Sequence, residues 1–147
     1  MTTKPIVRLN KNGGANITYK TGKGEVKVDF SYNHKTHEVG NDMFPDLQKK
    51  DTSLVVTIFE NGKEAEKNTN LVAYEYNHKE FASKGKANLM DNLTDIYHGS
   101  MVFDAGDDHV HEQSPAQKLI VQAALDVRNY IENNQKVLAA QKTAVKG

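Results

Sequence analysis

Residues 25–33 read EVKVDFSYN. A strict period of two sets Val26, Val28, Phe30 and Tyr32 on one side of the backbone and Lys27, Asp29 and Ser31 on the other. A helix would scatter the same apolar side chains around its circumference. The segment therefore reads as a β-strand with one buried face and one wet face, and the strand formers Val, Phe and Tyr suit a pleated, half-buried surface.

Working outward, the upstream runs PIVRLN (5–10) and ANITYKT (15–21) flank the turn residues KNGGA. Both alternate, with Val7 and Leu9 opposed to Ile6 and Arg8, then Ile17 in phase with Tyr19, which predicts a hairpin. Downstream, SLVVTIF (53–59), the turn ENGKE and NLVAYEYN (70–77) predict a second hairpin, with Asn61-Gly62 supplying the positive backbone angles. The tetrapeptide YNHK occurs twice, at 32–35 and 76–79, each time after a Gly-Lys turn (Gly22-Lys23, Gly62-Lys63) and a strand. A structural origin outweighs a pair of ligand sites, because each residue has a local role. The Tyr continues the strand, the Asn favours a turn, and His-Lys is expected where the strand leaves the sheet.

The longest irregular stretch is VGNDMFPDLQKKD (39–51). Its apolar knuckle, Met43-Phe44-Pro45, either plugs the core or meets a partner, so Met43 and Phe44 are candidate partner-contact residues. Residues 87–99, ANLMDNLTDIYHG, place Leu89, Met90, Leu93, Ile96 and Tyr97 at helical spacing, with Gly99 suited to end the helix. SMVFDA (100–105) reads as a short strand. From Ser114 onward, Ser-Pro-x-Gln supplies an N-cap, a proline at the first helical position and Gln117 reaching back.

The main stripe of that last helix is Ile120, Ala123, Ala124, Val127, Ile131 and Leu138. Leu119, Val121, Leu125 and Tyr130 fall outside it and are the candidate interface residues, since burying such side chains is worth about 1.5–3 kcal/mol each. The alternative is that the short helix and the long loop of the same chain cover them.

The expected fold is thus α+β: an antiparallel, hairpin-built β-sheet with one short helix and a long C-terminal amphipathic helix, closure into a sandwich or barrel being left open. The 147 residues predict a single domain, residues 1–147, with its core over about 5–140 and a fraying tail over 141–147.

Composition narrows the function. Lys plus Arg and Asp plus Glu are balanced at 19 each, so no net field draws in nucleic acid or an anionic membrane, and neither is an expected partner. Cysteine is absent, which removes disulfides, thiolate nucleophiles and cysteine-metal sites together. The beginning, MTTKPIVRLNKNGG, offers no apolar run of signal-peptide length, and a cytoplasmic protein is expected.

The densest polar cluster is DAGDDHVHE (104–112). Extended backbone would aim Asp107, His109 and His111 to one side and Asp108, Val110 and Glu112 to the other. Neutral imidazoles with carboxylates suit zinc, manganese or non-haem iron, so Asp107, His109, His111 and Glu112 form a candidate divalent-metal site, with His34 or His78 as further ligands. The competing reading is a solvated acidic loop favoured by the N-terminal end of the following helix. No nucleophile or phosphate-loop context occurs elsewhere, and a resident cofactor is not expected.

The leading expectation is a non-enzymatic protein-interaction or assembly module, of the accessory or phage-type structural kind, that binds itself or another protein through the last helix. The alternative is a metal-dependent small-molecule binder or enzyme built on residues 107–112.

Overall fold

The computed structural model describes residues 4–81, 83–84, 87–98 and 115–146, with side chains as far as Asn134. Five strands follow one another: β1 (Ile6–Leu9), β2 (Ala15–Thr21), β3 (Gly24–Glu38), β4 (Gln48–Glu60) and β5 (Lys63–Tyr76). They form one antiparallel sheet in the order β1-β2-β3-β4-β5, with β1 and β5 as its edges. Helices α1 (Leu89–Tyr97) and α2 (Pro115–Lys146) complete the α+β arrangement. The sheet is open, so closure into a barrel is set aside, and among the described residues no second sheet makes a sandwich.

The period-two reading of 25–33 holds. Val28 and Phe30 are fully buried, and their register partners Ile17, Ile58, Ala15 and Val56 are buried with them. Leu93 and Ile96 of α1 and Ile120, Ala123, Ala124 and Val127 of α2 close this cluster from the same face. The opposite face is polar: Asn10 Nδ2 donates to Asp29 Oδ1 at 3.2 Å, Ser31 donates to the same carboxylate, and the Lys27 ammonium lies 4.6 Å from the Phe59 ring centroid.

Turn chemistry fixes the register. Asn61 and Gly62 have φ of 52° and 84°, the left-handed pair a two-residue hairpin needs to match strand twist. Asn61 then works across strands, its Oδ1 accepting from the Glu25 amide at 2.9 Å and its own amide donating to the Glu25 carbonyl.

Two expectations change. The strand read as ending near Asn33 runs on to Glu38, and residues 48–51, expected to be irregular, belong to β4. His34 and Lys35 therefore lie within a strand, paired with Thr52 and Asp51, instead of at a strand exit. Cross-strand pairing overrides the weak strand propensity of Lys and Asp here, helped by His37 Nε2 at 2.9 Å and Lys49 Nζ at 3.3 Å from the Asp51 carboxylate.

The two YNHK copies are also inequivalent. Register shifts in β5 opposite Thr52/Ser53 and Ile58/Phe59 add residues between its turn and Tyr76. The two shifts cancel in phase, and the register alone sets Tyr32, partner of Leu54, toward the helices and Tyr76, partner of Lys49, toward the other side. The Asn residues diverge as well: Asn77 clasps the β3–β4 connection, donating to the Asp46 carbonyl and accepting from the Gln48 amide, while Asn33 remains an exposed strand residue.

Helix α1 begins where expected. Asn88 caps it by accepting from the Asp91 amide at 3.1 Å, and Leu93 and Ile96 are its fully buried residues. Helix α2 runs as far as Lys146, in keeping with the helix formers Leu138, Ala139, Ala140 and Gln141. The expected strand over 100–105, Gly99 and the Ser114 cap lie outside the described residues.

Two phenols tie the helices to the sheet. The Tyr19 hydroxyl donates to Asp126 Oδ2 of α2 at 2.7 Å, and the Tyr32 hydroxyl donates to Asn92 Oδ1 of α1 at 2.7 Å. Burial, and then the bonded Asp126, raises the Tyr19 pKa; burial, reinforced by the negative charge of Asp91, pushes Tyr32 up to about 12. Asn92 is only 7% exposed, so Tyr32→Phe strands its oxygen and is expected to cost about 1–3 kcal/mol in urea denaturation.

Because the folded pKa of Tyr32 lies above the ordinary 10.0, its contribution is complete below about pH 10 and is lost as pH rises through about 12. Alkaline unfolding should therefore begin closer to neutrality in the parent, relative to its stability at neutral pH, than in Tyr32→Phe. Parallel pH profiles for the two proteins would contradict this account.

Candidate functional site

On the helix-covered face, apolar character stops at the same end of three neighbouring strands. Along β3 the sequence of inward residues runs Val28, Phe30, Tyr32, His34, Thr36; along β4 it runs Val56, Leu54, Thr52, Lys50. On β5, Ala73 gives way to Glu75. The register aligns these changes, pairing His34 with Thr52, Thr52 with Ala73, and Lys50 with both Thr36 and Glu75. The core ends there and a groove begins.

The groove holds a cavity of about 310 Å³, walled by Tyr32, His34, Lys50, Thr52 and Glu75 and closed on its apolar side by Ala73, Ala87 and Leu89. His34 Nδ1 and Thr52 Oγ1 are hydrogen-bonded at 2.9 Å, which fixes the imidazole against the strand and leaves its other nitrogen for a ligand. A second opening of about 280 Å³ continues past Lys50 and Glu75 toward Thr36, Gln48 and Asn77. Tyr32 fixes the groove's inner wall through its bond to Asn92. Together the walls present a cation, an anion, a hydroxyl and an imidazole beside aliphatic carbon, a set suited to holding a small polar molecule in one orientation.

The candidate interface residues are divided between two sides of α2. At about 100° per residue, Leu119 and Tyr130 share the flank of Asp126, which turns toward Tyr19 of β2. Val121 and Leu125 share the flank of Arg128, which turns toward α1: Arg128 Nε donates to Thr94 Oγ1 at 2.9 Å, and the guanidinium lies 5.8 Å from the Tyr97 ring centroid. Leu119 and Val121 are partly buried against the chain's own core, Leu125 is half-buried, and Tyr130 is 40% exposed.

In the β3–β4 connection, Phe44 packs edge-on to His78 and Phe81, with centroids 4.6 and 5.1 Å away, while Met43 stands 82% exposed. Asn41 holds this turn, its Oδ1 accepting from the amides of Met43 and Phe44. Phe44 thus has a role within the chain, and Met43 is the part of the knuckle left to solvent.

Asp107, His109, His111 and Glu112 lie outside the described residues. His34 and His78, considered as their co-ligands, are used separately, one in the groove and one against Phe44. Among the described residues no group of three or more His, Cys, Asp and Glu side chains could hold a metal ion, and no helix is long and apolar enough to cross a membrane.

Comparison of the chain with known protein families, with curated proteins and with solved structures finds no match. Sequence reasoning did not single out the groove. The signal was present, however, as a single inward phase that turns polar from Tyr32 to His34, from Leu54 to Thr52 and from Ala73 to Glu75.

Proposed function

We propose that this protein is a non-enzymatic assembly module, of the accessory or phage-type structural kind, that associates with a second copy of itself. The observation that carries the reading is the edge formed by β1 beside α2. β1 is an edge strand of four residues, three of them apolar, with Ile6 43% and Leu9 63% exposed. Leu9 shares an apolar notch of about 300 Å³ with Leu89, Met90 and Ile131. Natural sheet edges are usually blunted by charge, and Arg8 is the single charged residue of this one.

Antiparallel pairing of two β1 edges about Val7 is self-complementary. It sets Val7 against Val7 of the second copy on the helix-covered face, and Ile6 against Arg8 on the other. Both α2 helices then lie on the same face of a continued sheet, and Tyr130, 40% exposed on the flank that Asp126 turns toward β2, is the α2 residue proposed to meet the second copy.

Absolute mass by light scattering after gel filtration tests this. The parent is expected to be a dimer, and Leu9→Lys and Tyr130→Glu should each weaken association by about tenfold or more, ~1.4 kcal/mol, while both remain folded by circular dichroism. A parent that stays monomeric at high micromolar concentration, or a dimer indifferent to both substitutions, would sink the reading. The metal-dependent alternative has a separate test: stoichiometric zinc, manganese or iron in untagged protein, abolished by His109→Ala, would favour it.

A further inference from the structure

We infer that the groove at the far ends of β3, β4 and β5 binds a small zwitterion of amino-acid type with an apolar tail. The inference goes beyond the assembly reading and does not rest on it. Its central observation is the disposition of charge. Lys50 and Glu75 are register partners on one face of adjacent strands, yet their charged groups are not joined by an ion pair within 4 Å. Opposite charges placed across a strand pair normally close on each other, contributing roughly 0.2–1 kcal/mol. Here both face the same two cavities, which they separate.

A ligand carrying one charge alone would meet an unfavourable partner. A carboxylate or phosphate at Lys50 lies beside the Glu75 carboxylate, and an amine at Glu75 lies beside the Lys50 ammonium. A zwitterion satisfies both, its carboxylate toward Lys50 with Thr52 and the free nitrogen of His34 in reach, its ammonium toward Glu75.

The remaining wall chooses the tail. Ala73, Ala87, Leu89 and the ring of Tyr32 offer carbon surface. The cavity of about 310 Å³ sits at the lower end of the roughly 300–1,000 Å³ typical of ligand pockets, so the molecule is of single amino-acid size. The position of Tyr32 against Asn92 and the bond between His34 and Thr52 preform the site and lower the ordering cost of binding.

The test is a titration of the full chain followed by ¹H–¹⁵N NMR. The probes are L-leucine, L-methionine and L-phenylalanine, with 4-methylpentanoate and 3-methylbutylamine as the leucine skeleton lacking one charge each. At least one amino acid is expected to give saturable shifts, in the millimolar range or tighter, at the amides of Tyr32, His34, Thr52, Ala73 and Glu75. Each single-charge analogue should bind at least about tenfold more weakly. Lys50→Met and Glu75→Gln, both at exposed positions, should weaken the amino acid by a similar factor with the rest of the spectrum unchanged. The inference fails if none of the three amino acids shifts these amides, if the analogues bind as well as leucine, or if both variants retain full binding. Any of these results leaves the mass measurements on β1 and α2 untouched.

Discussion

Phe30→Ala is expected to lower stability by about 3–5 kcal/mol, a large part of the roughly 5–15 kcal/mol that holds a domain together. Phe30 is among the largest fully buried side chains and sits on β3, the central strand of the five. Its register partners are Ala15 on β2 and Val56 on β4, both fully buried. Ala15 is too small to fill the space that the ring vacates, and the β2–β3 and β3–β4 ladders keep the backbone from collapsing inward. The cost is therefore the lost burial plus the cavity. Urea denaturation should show a lower midpoint at unchanged slope, whereas Lys35→Ala, at an exposed position of the same strand, should stay within about 0.5 kcal/mol of the parent. A Phe30→Ala midpoint as close to the parent as that of Lys35→Ala would mean that the sheet and helices do not meet around this ring.

The sheet was legible in the sequence because its inner face is covered by helices and its outer face is wet, the condition under which period-two alternation is strongest. Val26 to Tyr32 show it most clearly, and Asn61-Gly62 shows it at the turn, where only a left-handed pair connects the strands. Legibility fades where the strands outrun the helices. From His34 to Glu38 and from Gln48 to Thr52 no residue needs to be apolar, so the local pattern of a strand is lost although its hydrogen-bonding partner is present. The same loss of pattern marks the groove, which explains why strand ends and groove escaped a reading based on hydrophobic periodicity. They are one feature, visible once β3, β4 and β5 are aligned.

Repetition proved a weaker guide than phase. The YNHK copies share a tetrapeptide, yet they stand at different phases from their turns: Tyr32 lies an even number of residues after Gly24 and Tyr76 an odd number after Lys63, and the two single-residue shifts in β5 cancel in phase, so the two tyrosines face opposite sides. A helical wheel likewise identified Leu119, Val121, Leu125 and Tyr130 as lying outside the main stripe of α2 but could not say what each flank meets. The bond of Arg128 to Thr94 turns the flank of Val121 and Leu125 toward α1, and the bond of Asp126 to Tyr19 turns the flank of Leu119 and Tyr130 toward β2.

Replacing Gly14 with Ala is expected to cost more than about 3 kcal/mol, beyond the usual range for overpacking, although the change adds one methyl group. Gly13 and Gly14 both stand in a turn-like KNGGA, but for different reasons. Gly13 has φ of 91° and open space around it, so its role is conformational. At Gly14 a Cβ would lie 2.0 Å from the Phe30 carbonyl oxygen and 3.2 Å from Ser31 Cα, both backbone atoms of the central strand. No side-chain rotation relieves such a contact. Either β2 separates from β3 at Ala15 and Phe30, or the β1–β2 turn loses the bond from the Asn10 amide to the Gly14 carbonyl at 2.8 Å. Gly22→Ala is the matched control, since nothing lies within 4 Å of its added Cβ and its φ is not left-handed, and it should be neutral or slightly stabilising. The pair separates two meanings of a hairpin glycine. If Gly14→Ala were as mild as Gly22→Ala, the first turn would not rest on the Phe30–Ser31 backbone, and the placement of β1 as the assembly edge would have to be reconsidered with it.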